Sequence, residues 1–279
     1  MRFLPVLVTS IPLLLSSLPA DAFDPCGGSA GSLWSWAWAG QAGENVTTRS
    51  GPYGPVITEL RDISGNGRHY FNTTGEREPG YQVGLRQGGY ETDLPVVAID
   101  RYANGSQLYL QWMNQNDTMR ANEFYLAFAG MNSRDAGNRD LWGNNTTNLV
   151  WLDQGGNRAY IVINGSEVQL TPRGSLPKGP LLLEIWRDET GKLHTWANGQ
   201  DVSSPGASSS ATFSMTGIGW DQSGTSGWDD YAFEYVACDD DVTDLGRRDV
   251  REYLNAKWGL FGSSNQRSTP QPPSNLKSD

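Results

Sequence analysis

Residues 231–260, YAFEYVACDDDVTDLGRRDVREYLNAKWGL, join a strand signal to a helix signal. Aromatic and β-branched side chains dominate the first part, YAFEYVA, which is typical of a strand. After an acidic run, Thr243 is a suitable helix N-cap, and Val250, Leu254 and Trp258 recur at helical spacing before a glycine. The segment therefore predicts a core strand that leads into one short helix.

Strand signals also dominate the rest of the chain. Asn164-Gly165 and Asn198-Gly199 lie between apolar runs and predict two-residue hairpin turns. Such short connections favour antiparallel pairing, and many evenly spaced strands favour one large sandwich. The other runs that are β-branched or aromatic and end at Gly, Asn, Asp or Pro are residues 123–131, 148–152, 158–163 and 181–187.

The two ends of the chain differ from the part between them. Arg2, an apolar run over residues 3–19 and the tripeptide Ala-Asp-Ala are typical of a cleaved signal peptide, so we expect residues 1–22 to be removed. Residues 263–279 form a low-complexity tail that we expect to be disordered. Residues 23–262 are then one secreted domain, which would be periplasmic or surface-associated in a bacterium.

The charge balance excludes one class of partner. The chain has 21 Lys and Arg against 31 Asp and Glu, a formal net charge of −10. Nucleic-acid binding needs clustered cationic side chains, so a nucleic-acid partner is not expected. After the signal peptide, no run of about 18 apolar residues follows, so we expect no membrane span.

Cysteines and asparagines fit an exported protein. Cys26 and Cys238 are the two cysteines, and in an oxidising compartment we expect them to pair, the alternative being two separate buried thiols. If the source is eukaryotic, we expect glycosylation at surface loops. The Asn-x-Ser/Thr acceptors are Asn45, Asn72, Asn104, Asn116, Asn144, Asn145 and Asn164.

Four motifs together resemble a known superfamily. They are LRDISGNGRHY at residues 60–70, LPVVAID at 94–100, TWANGQDV at 195–202 and YLNAKWGL at 253–260. This set is similar to the laminin-G-like branch of the concanavalin A-like lectin/glucanase superfamily. The resemblance implies a jelly-roll sandwich of two antiparallel sheets with adjacent N- and C-terminal strands, which suits a Cys26–Cys238 bridge. Members bind glycans, serve in adhesion, matrix or virion assembly, or cleave polysaccharides, so fold alone does not select a function.

The catalytic motifs of the superfamily are not matched. Retaining glucanases carry E-x-D-x-x-E on one strand. In the nearest segment, Glu184 to Glu189, Trp186 replaces the aspartate and Glu189 falls in a hairpin turn. We therefore expect Glu184 to be a strand residue on a partly exposed face. Related lyases use Gln-x-His, whereas His194 has no such glutamine and His69 lies in a turn, so no catalytic residue is expected.

Tryptophans are the candidate binding residues, because sugar rings stack on aromatic faces. Trp34, Trp36 and Trp38 alternate, which predicts three rings on one side of a strand. They form either a glycan platform or part of the core, and their size favours the core. Tryptophans and acids in loop-like sequence are better candidates for carbohydrate binding. These are Trp142, Trp220, Asp221, Trp228 and Asp229.

Calcium is the one metal that the sequence suggests. Asp62, Ser64 and Asn66 alternate before a glycine, as in the first part of an EF-hand loop. Thr73 stands where that loop needs a bidentate glutamate, so the EF-hand interpretation fails. Asp62 and Asn66 are kept as candidate ligands of a looser calcium site at the sandwich rim. A further acidic group either binds calcium or is a solvated connection before the helix, and the solvated connection is favoured. It consists of Asp239, Asp240, Asp241 and Asp244.

The leading hypothesis is a secreted, non-enzymatic module that binds a glycan, or a matrix or cell-surface component, through rim loops, with no required cofactor and with calcium as an optional ligand. The second hypothesis is an assembly component of an extracellular coat, appendage or virion. The third is a polysaccharide-degrading enzyme with an unusual site.

Overall fold

The computed structural model describes residues 25–26, 33–40, 42–51, 54–72, 79–98, 113–133, 138–145, 147–153, 155–219, 231–240 and 242–262. Seventeen strands and one helix lie in these ranges. In chain order they are β1 (Leu33–Trp38), β2 (Val46–Gly51), β3 (Gly54–Leu60), β4 (Tyr70–Asn72), β5 (Gly80–Gln87), β6 (Tyr90–Ala98), β7 (Met113–Ala121), β8 (Phe124–Asn132), β9 (Asn138–Asn145), β10 (Asn148–Asp153), β11 (Arg158–Ile163), β12 (Ser166–Gln169), β13 (Gly179–Arg187), β14 (Leu193–Ala197), β15 (Gln200–Asp201), β16 (Phe213–Ile218), β17 (Tyr231–Cys238) and α1 (Asp244–Trp258).

The strands form a sandwich of two antiparallel sheets. The helix-side sheet has the order β1–β17–β8–β13–β14–β15. The second sheet has the order β2–β3–β4–β7–β16–β9–β10–β11–β12. The β5–β6 hairpin links the two sheets, because β5 pairs with β3 and β6 pairs with β17. The predicted all-β sandwich with one short C-terminal helix is confirmed.

The main core lies between the two sheets. Alternate residues of β8, including Leu126 and Phe128, contribute from the helix-side sheet. Val150 and Ile161 contribute from the second sheet. Their neighbours along each strand face outward, as expected for the two-residue period of a strand.

A second core lies between the helix-side sheet and α1. Thr243 caps the helix by accepting a hydrogen bond from the Gly246 amide at 3.2 Å, and Gly259 ends it with a φ of 62°. Val250, Leu254 and Trp258 pack on outward-facing residues of β8, β13 and β17. The predicted helix and its buried face are therefore confirmed.

A buried ion pair fixes α1 on the sheet. Glu234 of β17 contacts the Lys257 ammonium at 2.8 Å, and the two side chains are 0% and 2% exposed. The indole nitrogens of Trp36 and Trp258 also donate to this carboxylate, and Lys257 lies 3.5 Å from the centre of a Trp38 ring. Burial lowers the pKa of Lys257, and Glu234 opposes that effect.

The predicted orientation of the three N-terminal tryptophans is wrong for one of them. Trp36 and Trp38 face α1, whereas Trp34 lies in the main core. A register shift between Leu33 and Ser35 places Trp34 on the other face, as β-bulges do. Core packing explains all three rings.

Cys26 and Cys238 form the expected disulfide, with a sequence separation of 212 residues. Cys238 ends β17 and pairs with Leu33 of β1, so the bridge lies beside the first strand. Such bridges persist in oxidising compartments. Within the described residues, no helix is long and apolar enough to cross a membrane.

Candidate functional site

The two outer faces of the sandwich differ. Helix α1 packs against β8 and β13, so it covers the outer face of the helix-side sheet. Within the described ranges, the outer face of the second sheet has neither helix nor strand above it. The outer face of the second sheet is therefore the sheet surface on which a ligand can bind.

One row of side chains crosses four neighbouring strands on that face. Asp140 of β9 pairs with Trp151 of β10, Trp151 pairs with Tyr160 of β11, and Tyr160 pairs with Gln169 of β12. Paired residues of adjacent strands point to the same side of a sheet. We call these four residues the aromatic row. It spans three interstrand spacings, or about 14 Å.

The centre of the aromatic row is a stacked pair of rings. The Trp151 and Tyr160 ring centroids are 4.4 Å apart with an interplanar angle of 11°. Val150 and Leu152 point into the main core, so the intervening Trp151 points outward. Trp151 is half-buried, and Tyr160 is 8% exposed. Trp151 is therefore the more accessible of the two rings.

Polar groups lie at both ends of the aromatic row. Asp140 is 6% exposed, and Gln169 is exposed with its amide nitrogen donating to the Thr171 carbonyl at 2.9 Å. A carboxylate accepts hydrogen bonds from hydroxyl groups, and a carboxamide both donates and accepts. An aromatic centre with such ends suits a ligand that has both apolar C–H faces and hydroxyl groups.

The next row of the same face contains an ion pair. Arg158 donates from Nε to Asp153 Oδ2 at 2.8 Å, and Asp153 Oδ1 accepts from the Gly156 amide at 3.0 Å. The Arg158 guanidinium also lies 5.2 Å from the centre of the Tyr160 ring. The hydrogen bond to Asp153 raises the pKa of Arg158. Arg158 therefore contacts both the Asp153 carboxylate and the Tyr160 ring.

The sequence interpretation missed Trp151 and Tyr160, although local signals for them exist. Trp151 stands between two core residues in NLVWLD, and this alternation already places it outside. The Asn164-Gly165 turn pairs Ile163 with Ser166, and counting back along the hairpin pairs Tyr160 with Gln169. The contact between Trp151 and Asp140 has no such local signal, because it crosses a register shift.

Of the predicted carbohydrate-binding residues, Trp142 is in the wrong place for that role. It lies in strand β9 rather than in a loop and is fully buried in the main core. Its ring packs edge-on against Phe128 and Tyr235. A glycan on the surface of the described fold does not reach it.

The other four, Trp220, Asp221, Trp228 and Asp229, lie outside the described residues. The last described residue before them is Gly219, whose amide donates to the Leu141 carbonyl at 2.9 Å. Leu141 is next to Asp140 in β9. The last described residue before these four therefore lies beside β9, the strand that carries Asp140 at one end of the aromatic row.

The turn that carries Asp62 and Asn66 is held by the Asp62 carboxylate. Oδ1 accepts from the amides of Trp36 at 2.9 Å and Ser64 at 3.0 Å. Oδ2 accepts from the Ser64 hydroxyl at 2.7 Å and the Arg68 amide at 3.1 Å. Asn66 donates to the Leu33 carbonyl at 2.6 Å. These bonds fasten the turn to β1.

Such a carboxylate fits calcium poorly, because four donors already occupy its acceptor positions. Among the described residues, no three His, Cys, Asp or Glu side chains are grouped to hold a metal ion. Calcium binding by Asp62 and Asn66 stays a prediction, and the hydrogen bonds that the Asp62 carboxylate accepts do not favour it.

Asp62→Ala is expected to lower the free energy of unfolding by about 2–4 kcal/mol, because several part-buried amides lose their acceptor. Asp62→Asn keeps one carbonyl oxygen and is expected to cost less. Chemical denaturation with calcium and with a chelator tests both roles. A calcium-dependent stabilisation that Asp62→Ala abolishes would show that the carboxylate serves a metal ion instead.

The expectation that Glu184 lies on a partly exposed face is wrong. It is fully buried beneath α1, where Arg251 donates from Nε at 2.6 Å and Nη2 at 3.0 Å. The Tyr125 hydroxyl donates to it at 3.0 Å. Burial raises the pKa of Glu184, and Arg251 opposes this rise. The carboxylate serves to dock the helix.

Both histidines have a hydrogen-bond partner within the described residues. His194 Nε2 lies 2.9 Å from Asp188 Oδ2, and its ring stacks on Trp186 with centroids 4.9 Å apart. Hydrogen bonds to Asp188 hold the pKa of this carboxyl at about 2, against the opposing effect of its partial burial. His69 Nδ1 accepts from the Asp62 amide at 3.0 Å, within the turn where it was expected.

The predicted glycosylation acceptors differ in accessibility. Asn116 and Asn164 are exposed, and Asn164 lies in the β11–β12 turn with a φ of 51°. Asn45 is half-buried, and Asn144 donates to the Ser214 hydroxyl at 2.6 Å. Asn104 and the side chains of Asn72 and Asn145 lie outside the described part, and glycosylation stays a prediction.

The chain has similarities to known proteins at the level of structure. No protein-family description matches it, and no curated protein does. Trypanosoma rangeli sialidase in complex with sialic acid is similar at a TM-score of 0.41 and 10% identity, over 80% of this chain and 33% of the sialidase. The chain thus spans about a third of that protein.

Two smaller structures are also similar. Ruminococcus gnavus IT-sialidase CBM40 bound to alpha2,3 sialyllactose has a TM-score of 0.31 and 12% identity, over 45% of this chain and 80% of that one. The heptameric SAP-like pentraxin from Limulus polyphemus has a TM-score of 0.34 and 11% identity, over 51% and 72%.

Proposed function

We propose that the chain is a secreted module that binds glycans on the outer face of its second sheet. The observation that carries the proposal is the stacked Trp151–Tyr160 pair, which stands on that face between a carboxylate and a carboxamide. Aromatic rings hold the C–H faces of sugars, and polar neighbours fix the hydroxyl groups. The disulfide supports export to an oxidising compartment.

The aromatic row supports binding rather than cleavage. Of the two candidate catalytic groups, Glu184 is buried under α1 against Arg251, and His194 lies on the helix-side sheet against Asp188. Both groups belong to the sheet opposite the aromatic row. The proposal therefore assigns recognition to the second sheet and a structural role to Glu184.

Trp151→Ala is expected to weaken glycan binding about tenfold or more, because it removes the accessible ring of the stacked pair. The wild-type protein is first screened against a broad oligosaccharide array, and titration calorimetry then measures the affinity of the hits. Trp151→Tyr keeps an aromatic face and is expected to retain part of the binding.

Phe71→Ala is the matched control. Phe71 is half-buried on β4, which lies four strands from β10 in the same sheet, and its loss is expected to leave binding within about twofold. Thermal melting confirms that both alanine variants are folded. A folded Trp151→Ala protein with wild-type affinity, or a wild-type protein silent across the array, contradicts the proposal.

A further inference from the structure

Several asparagines of the chain are followed directly by glycine. At such a pair the glycine amide nitrogen can attack the carbonyl carbon of the asparagine side chain, and the missing Cβ of glycine leaves that approach unhindered. The pairs begin at Asn66, Asn104, Asn164 and Asn198. Asn104 lies outside the described residues, and the other asparagines lie in turns of the described fold. The same reactive dipeptide therefore occurs in different surroundings.

The side-chain amides of Asn198 and Asn66 are held by the backbone. Asn198 Oδ1 accepts from the Leu182 amide at 2.7 Å, and its Nδ2 donates to the Pro180 carbonyl at 3.0 Å. Asn66 Nδ2 donates to the Leu33 carbonyl at 2.6 Å. Attack by the following amide requires the side chain to turn towards its own backbone, so these hydrogen bonds must first break, at a cost in free energy.

Asn164 lies in the same kind of turn as Asn198 but lacks this restraint. The φ values of Asn164 and Gly165 are 51° and 80°, against 49° and 76° for Asn198 and Gly199. Asn164 is exposed, and its carboxamide has no hydrogen-bond partner among the described residues. Asn66 is exposed as well, so exposure alone does not separate the three asparagines. What distinguishes Asn164 is its free side-chain amide.

The remaining barrier at Asn164 is the turn itself. The Gly165 amide donates to the Thr147 carbonyl at 2.8 Å, and the nitrogen must leave this bond in order to attack. The turn leads into β12, an edge strand of 4 residues in which only Val168 is not fully exposed. Segments with few buried contacts open locally at a small free energy. We therefore expect this turn to open far more often than those that hold Asn66 and Asn198.

We propose that Asn164 is a site of spontaneous deamidation and that Asn66 and Asn198 resist the reaction. The Gly165 nitrogen forms a bond to Asn164 Cγ, the Cγ–Nδ2 bond breaks, and ammonia leaves with the proton of the Gly165 amide. Water then opens the cyclic imide at either of its carbonyls, which gives aspartate or isoaspartate. No oxidant or reductant takes part, and water is the only co-reactant.

The isoaspartate product lengthens the main chain by a methylene group, which a two-residue hairpin turn does not accommodate. The same hairpin pairs Tyr160 with Gln169, so the modification is expected to loosen β12 at one end of the aromatic row. The isoaspartyl form, purified by ion exchange, is expected to show faster hydrogen exchange over residues 166–169 than the unmodified protein. Unchanged exchange in that strand would contradict this loosening.

Peptide mapping by mass spectrometry tests the proposal on the full chain, aged at mildly alkaline pH. The protein is secreted into a bacterial periplasm, which forms the disulfide, because an N-linked glycan on Asn164 would block the leaving nitrogen. In the native protein, we expect Asn164 to deamidate at least about tenfold faster than Asn66 or Asn198. In guanidinium-denatured protein, the rates are expected to agree within about threefold, since each asparagine precedes a glycine and the native hydrogen bonds are gone.

Asn164→Gln is the matched control, because glutamine keeps the carboxamide but its longer side chain disfavours the cyclic imide. Its peptide is expected to show no deamidation over the same period, with the rates at Asn66 and Asn198 unchanged. Native-state deamidation at Asn164 that is no faster than at Asn198 overturns the proposal. Deamidation of Asn164 that is confined to the denatured protein overturns it as well, because the native turn would then protect this residue.

Discussion

Lys257→Met is expected to lower the free energy of unfolding by about 3–5 kcal/mol, because it leaves the Glu234 carboxylate buried without a counter-charge. Both side chains are almost completely enclosed, at 2% and 0% exposure. Neutral donors from Trp36, Trp258 and Tyr253 still reach the carboxylate, but none of them carries the compensating charge. Methionine keeps the aliphatic length of the lysine, so lost packing contributes little.

Denaturant unfolding followed by circular dichroism measures this effect. Arg248→Met is the control, since Arg248 pairs with Glu252 on the exposed side of the same helix and its loss is expected to cost no more than about 0.5 kcal/mol. Adding Glu234→Gln to Lys257→Met removes the buried charge and is expected to recover at least half of the loss. Equal effects of Lys257→Met and Arg248→Met would show that α1 is not held by this pair.

The sequence predicts those parts of the fold that local signals encode. The cap, apolar stripe and terminal glycine define α1 within one segment, from Thr243 to Gly259. The Asn164-Gly165 and Asn198-Gly199 turns take positive φ at both residues, as two-residue hairpins require. Each of these features depends on residues that are close in the chain.

Strand β9 shows where local signals fail. Its sequence, NRDLWGNN, is rich in residues that are depleted from strands, so the local pattern predicts a loop around Trp142. Pairing with β10 and β16 nevertheless holds these residues in a strand and directs Trp142 into the main core. Tertiary pairing thus overrides propensity here.

The candidate site is harder to predict than the fold. The aromatic row exists only because four strands adopt one register, and a register shift between Val150 and Trp151 sets Asp140 beside Trp151. Residue spacing alone does not reveal such a shift. The burial of Glu184 is equally hard to predict from local sequence, because the helix α1 covers it. Its partner Arg251 on that helix lies 67 positions further along the chain.

Removing the disulfide by Cys26→Ala with Cys238→Ala is expected to lower the free energy of unfolding by about 4–5 kcal/mol. The bridge closes a loop with a sequence separation of 212 residues, so it restricts the unfolded chain strongly. Loss of the bridge also lets the unfolded chain expose more surface, so the dependence of unfolding on denaturant is expected to steepen.

Comparison of the double alanine variant with reduced wild-type protein separates two contributions to this loss. Reduced wild-type protein keeps both cysteine side chains, and these residues are 2% and 0% exposed in the second core, so any difference between the two samples reports packing. Because neither cysteine is accessible, the native protein is expected to resist reductant until it opens, and mild denaturant should accelerate reduction. Rapid reduction without denaturant would contradict the burial of the bridge. An unfolding free energy unchanged after reduction would mean that β1 and β17 hold the N-terminal segment in place without the bridge.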